Sequence, residues 1–137
     1  MRVIGRTGHA MAVAIVVSAL TGTSTRAAET YIGLLLLESV GVQQTPGPTG
    51  HLAGNLEIKL RSPATLPTGM TCDKTFITTK REGDPDKRLF ALLTMAHLAG
   101  KSVTLQISDD ASLRAYPGRC SLMWAEVLPP DATGVNS

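Results

Sequence analysis

Few side chains in this sequence can do chemistry, and most of them lie late in the chain. Tyr116 sits in an Ala115-Tyr116-Pro117-Gly118 turn, and Trp124 follows within a run of strand-forming residues. An aromatic ring packs against the apolar C–H face of a hexose while nearby polar groups fix the hydroxyls. Both rings are therefore candidates for sugar stacking. Trp124, inside a strand, is expected in the core; Tyr116, in a turn, is expected at the surface. Asp109 and Asp110 are adjacent carboxylates on a turn. A calcium site needs about six or more oxygen ligands, and no calcium-loop pattern surrounds this pair. Turn formation is the better reading. As a glycosidase pair they fail because no second acid is evidently held across a cleft. His51 lies in a Gly/Pro-rich loop and His97 flanks an apolar helix face beside Phe90. Without a further Cys/His cluster at ligand spacing, no zinc site is expected. No nucleophile–base pair stands out, and no cofactor is implied.

The elements that position these groups begin after an N-terminal leader. Arg2 and Arg6 precede an apolar run, Ala10 to Leu20, and Thr25-Arg26-Ala27 offers small residues where a signal peptidase reads. That is the pattern of a secretory signal peptide over residues 1–27. The apolar run is too short for a stable membrane anchor. Removing Arg2, Arg6 and Arg26 leaves 10 of the 13 Lys and Arg against 11 Asp and Glu, a balance of −1 where the whole chain carries +2. Binding to nucleic acid needs a concentrated positive surface, so it is not expected. The five mature aromatics, Tyr31, Phe76, Phe90, Tyr116 and Trp124, are also too few for single-strand stacking. Lys80, Arg81, Lys87 and Arg88 are interleaved with Glu82 and Asp84, which reads as a solvated mixed-charge segment. Cys72 and Cys120 are the only cysteines; in an exported chain an even count favours a disulfide.

Residues 28–128 read as one domain, and residues 129–137 as a flexible tail behind Pro129-Pro130. Tyr31 to Val40 is a first strand whose Leu34-Leu35-Leu36-Leu37 run lacks alternation, so both faces are expected to be covered. A long Gly/Pro loop runs from Gly41 to Gly54. Asn55 to Arg61 alternates, with Leu56, Ile58 and Leu60 inward. Thr71 to Thr79 is a third strand. Asp84 is a suitable N-cap and Pro85 fits the first helical position. Leu89, Leu92, Leu93, Ala96 and Ala99 then share one helix face, and Gly100 stops the helix. Ala91, Met95 and Leu98 make the outer face apolar too, which points to a subunit interface. Ser102 to Ser108 alternates again, and Ser121 to Leu128 is the last strand.

The expected fold is mainly β with one helix, in the order β-β-β-α-β-β. That count and order match a five-stranded OB-type Greek-key barrel. From Cys72 through LFALLTMAHLAGK and SVTLQIS to Cys120 and the last strand, the chain resembles small secreted bacterial proteins. These include the B subunit of subtilase cytotoxin and related uncharacterised families with the toxin B-pentamer fold. The similar stretch covers Thr71 to Leu128. The resemblance implies an OB-type barrel, a Cys72–Cys120 bridge and a pentameric ring that binds host glycans. No sugar-contacting residue of that family has a matching motif here.

In OB-type folds the loops between strands one and two, and four and five, commonly carry ligands. They place Gln43, Gln44, His51, Asp109, Asp110, Arg114 and Tyr116 in the candidate binding region. The leading expectation is a non-enzymatic periplasmic or secreted binding domain, recognising a glycan or an exported protein, as a homo-oligomer. The alternatives are a periplasmic structural or inhibitor protein acting through the apolar helix or first strand, and, last, a small hydrolase.

Overall fold

The computed structural model describes residues 27–47 and 51–129. The expected leader, apart from Ala27, and the expected tail, apart from Pro129, lie outside the described residues, as do Pro48, Thr49 and Gly50. The described chain is mainly β with one α-helix. The strands are β1 (Glu29–Leu35), β2 (Leu37–Val42), β3 (Leu56–Leu60), β4 (Asp73–Thr79), β5 (Val103–Ser108) and β6 (Arg119–Val127). Helix α1 (Arg88–Leu98) lies between β4 and β5, after a short 3-10 turn at Arg81–Gly83. All six strands join one mixed sheet in the order β1-β5-β6-β4-β3-β2. The β4–β6 pair is parallel and every other pair antiparallel.

The sheet therefore has six strands where five were expected, because the first expected strand breaks at Leu36. Leu34 takes φ 56°, a left-handed conformation costly for a leucine. The β1–β5 register slips between Ile32 and Leu35, and the β2–β3 register slips between Leu37 and Ser39. Irregularities on both sides of Leu36 turn the chain, so β1 pairs with β5 while β2 pairs with β3. Two consecutive segments thus sit at opposite ends of the strand order. The turn also decides which leucines are covered. Leu37 is buried, Leu35 and Leu36 are half-buried, and Leu34 is 53 % exposed. The expectation of cover on both faces fails at Leu34 for that reason.

In β3 and β5 the alternation is obeyed. Leu56, Ile58 and Leu60 of β3 and Val103, Leu105 and Ile107 of β5 are buried and form the centre of the core. Helix α1 packs on β2 and β6, burying Leu93 and Ala96, with Leu89 and Leu92 half-buried. Ala99, expected on the same stripe, is exposed because it falls at the C-cap, beyond the last helical residue. The helix begins at Arg88 and not at Pro85, since Lys87 takes a left-handed φ of 59° just before it. Asp84 still caps it across that break. Its buried carboxylate accepts the Leu89 and Phe90 backbone N–H groups, both at 3.0 Å. Gly100, at φ 61°, ends the helix. The Gly100 N–H donates to the His97 carbonyl at 3.1 Å and the Lys101 N–H to the Ala96 carbonyl at 2.9 Å, a Schellman closure. Cys72, just before β4, is disulfide-bonded to Cys120 in β6, with Cα atoms 5.1 Å apart.

Candidate functional site

The segments after β2 and before β6 meet over the outer side of the sheet. Backbone bonds hold the first of them. The Gln43 N–H donates to the Asn55 carbonyl at 2.9 Å and the Gly54 N–H to the Gln43 carbonyl at 2.7 Å. Together they extend the β2–β3 ladder one step past the strands. Within the loop, the Gly47 N–H donates to the His51 carbonyl at 2.8 Å. The second segment turns at Tyr116 and Gly118, where the Arg119 N–H donates to the Tyr116 carbonyl at 3.3 Å.

Their meeting leaves a polar cleft of about 320 Å³, lined by Gly41, Val42, Gln43, His51, Glu57, Tyr116 and Arg119. Arg119 is its centre. Its guanidinium carbon lies 4.7 Å from the Phe76 ring centroid and 5.0 Å from that of Tyr116, within cation–π range of both. Arg119 also forms an ion pair with Glu57 of β3. The His51 ring meets the Tyr116 ring edge-on, centroids 4.0 Å apart and planes at 70°. Burial pulls the Arg119 pKa below its ordinary value, yet a guanidinium stays charged near neutral pH. Burial raises the Tyr116 phenol, against a smaller opposing hydrogen bond with Asn55. The phenol is therefore neutral at physiological pH.

Three of the seven residues expected in the binding region, Gln43, His51 and Tyr116, line this cleft. Tyr116 is buried, contrary to expectation, because its turn folds under His51 and Arg119. Gln44 is exposed and does not line the cleft. Asp109, Asp110 and Arg114 are occupied by hydrogen bonds to the start of β1 and within their own loop. Asp109 Oδ1 accepts the Ala28 N–H at 2.7 Å, tying down the start of β1. Asp110 Oδ1 accepts the Ser112 N–H at 2.8 Å, and hydrogen bonding from the Ser112 side chain first, then from its backbone, lowers the Asp110 carboxyl pKa. Arg114 Nη2 donates to the Asp109 carbonyl at 2.7 Å. Sequence reasoning missed Glu57, Phe76 and Arg119. The only signal for Glu57 was its outward place in an alternating strand, and nothing paired it with Arg119.

Trp124, expected in the core, is instead 41 % exposed. Its partner in β5 is Gln106, and the register slips between Gln106 and Ile107, so Met123 and Trp124 both come outside while Leu122 and Ala125 stay buried. Among the described residues, no group of three or more His, Cys, Asp and Glu could hold a metal ion. No protein-family model, curated protein or solved structure matches this chain.

Proposed function

We propose that this chain is an exported, non-enzymatic binding domain of the OB type, and that the cleft around Arg119 takes a glycan. The observation that carries the reading is the convergence of Gln43, His51 and Tyr116 on the Glu57–Arg119 pair. A guanidinium fork donates and the adjoining carboxylate accepts, side by side. Vicinal sugar hydroxyls need both roles at that spacing. His51, half-buried on its loop, stands beside them. The volume falls at the small end of the range for ligand pockets. The OB reading draws on the strand order. With β1 and β2 counted as one strand bent at Leu36, the order has five strands, and α1 follows the third. The cleft then lies between the two loops that commonly carry ligands in that fold. Export draws on the leader and on the Cys72–Cys120 bridge, a bond suited to an oxidising compartment.

Calorimetric titration with saccharides tests the site. Arg119→Ala and His51→Ala are each expected to weaken binding by about tenfold or more, the scale of one lost charge-assisted or stacking contact. His51 lies on a loop, so its variant keeps the fold even where Arg119→Ala loosens it. Unchanged affinity in both would remove the cleft from the account.

A second reading has its own observation. Met95 and Leu98 of α1 are 70 % and 79 % exposed, an apolar helix face suited to an exported protein or to further copies of this chain in a ring. Light scattering on wild type and Leu98→Glu tests it. An oligomer that dissociates in the variant supports the helix as a seam, and a wild-type monomer removes the ring.

A further inference from the structure

We infer that a second glycan-contacting surface exists on the opposite edge of the sheet, an aromatic corner formed by Tyr31 and Trp124. The inference rests on the proposed glycan reading and adds a second contact surface to it. Tyr31 of β1 pairs across with Gln106 of β5, and Gln106 pairs in turn with Trp124 of β6. The three residues form one row across the outer face. Their alternation explains why the two rings reach each other over the shorter central side chain. The Tyr31 and Trp124 centroids are 5.9 Å apart with planes at 76°, so the rings form two walls of a corner. Tyr31 is 63 % exposed and Trp124 41 % exposed, unlike the buried Tyr116.

Polar groups surround the corner. Gln106 lies between the rings, and two residues along, on the same face, Thr104 pairs with Glu126. Gly33 lets the Thr104 side chain lie close against β1, where a Cβ would come within 3.3 Å of its Oγ1. Beyond Tyr31 a groove of about 460 Å³ runs along β1, with Gly33 and Leu34 on one wall and Arg61, Ser62 and Thr65 on the other. It shares no lining residue with the Arg119 cleft. β1 is a terminal strand of the sheet, so backbone groups on this side have no strand partner to satisfy them.

Rings interleaved with amide, hydroxyl and carboxylate groups are a poor match for a protein seam, which favours an apolar centre with polar groups at the rim. They match a saccharide, whose C–H faces stack on rings and whose hydroxyls need donors and acceptors between them. One sugar unit stacks in the corner, and the next reaches Arg61 and Ser62 in the groove.

Trp124 is the only tryptophan in the chain, so its emission reports this corner alone. The test is a fluorescence titration with the oligosaccharides that a saccharide array selects, run on wild type, Tyr31→Ala and Arg119→Ala. The expected result is a blue-shifted emission, protected from acrylamide quenching as ligand is added, with affinity about tenfold weaker in Tyr31→Ala. Tyr31 is largely exposed, so this variant keeps the fold. Saccharide binding that Arg119→Ala weakens, while Trp124 emission and Tyr31→Ala affinity stay unchanged, would overturn the corner and leave the cleft standing. Emission that follows protein concentration and not saccharide would assign the corner to a second copy and overturn it too. No saccharide binding by wild type would overturn the cleft and the corner together.

Discussion

Arg119 is the residue on which the cleft depends. Between Phe76 and Tyr116, and paired with Glu57, it is held by two rings and a carboxylate at once. A planar fork is needed for that, and an ammonium cannot reproduce it. Arg119→Lys is therefore expected to keep the charge and still lose about tenfold in saccharide affinity, measured by calorimetry. Tyr116 supplies a prediction in pH. An unfolded tyrosine ionises near pH 10.0, and burial places the Tyr116 value above that. Stability from the neutral phenol is thus complete below pH 10.0 and is lost as pH rises through the folded value. In Tyr31→Phe, where Tyr116 is the one remaining tyrosine, phenolate absorbance should rise only above that ordinary value. A midpoint at or below it would contradict the burial. The sequence made Tyr116 and His51 legible as candidates because their turn and loop contexts are local. Glu57 and Arg119 were not legible, because their pairing is set by the sheet and no local signal encodes it. Trp124 lies outside for a related reason: a single slipped register in β5–β6 moves it there, and alternation alone cannot locate such a slip.

At the scale of elements, local rules read well where one rule acts alone. The alternating runs became β3 and β5 with the inward residues expected, and Gly100 closed the helix. The helix start moved to Arg88 because the left-handed Lys87 intervened, yet Asp84 kept its capping role. Asp84→Ala removes both side-chain bonds to the first turn and should cost about 1–2 kcal/mol. Thermal denaturation should show a loss of roughly 4–8 °C for each kcal/mol in a domain of this size. An unchanged melting temperature would show that the cap contributes nothing. Leu98→Glu, on the exposed helix face, should leave stability within about 0.5 kcal/mol of wild type in denaturant titration. A larger loss would mean that Leu98 packs against something in the folded protein. The leucine run was the hardest element to read. Hydrophobicity marked it as strand but carried no sign that Leu34 and Leu36 would divide it into β1 and β2.

For the whole molecule, the break at Leu36 and the Cys72–Cys120 bridge set the architecture. One bent segment supplies both end strands of the sheet, and the bridge joins the segment entering β4 to β6. The bridged cysteines are 48 residues apart, for which chain entropy gives about 4 kcal/mol. Reduction should lower the melting temperature by well over 10 °C, on the order of that free energy. A melt unchanged by reductant would remove the bridge as a source of stability. The proposed binding of glycans turns on the cleft around Arg119. A saccharide array probed with purified wild type and with His51→Ala and Arg119→Ala side by side tests it most directly. A restricted set of glycans is expected to bind wild type and to be lost or strongly weakened in both variants. Folded wild type that binds no saccharide above background, or variants that bind as wild type does, would contradict it.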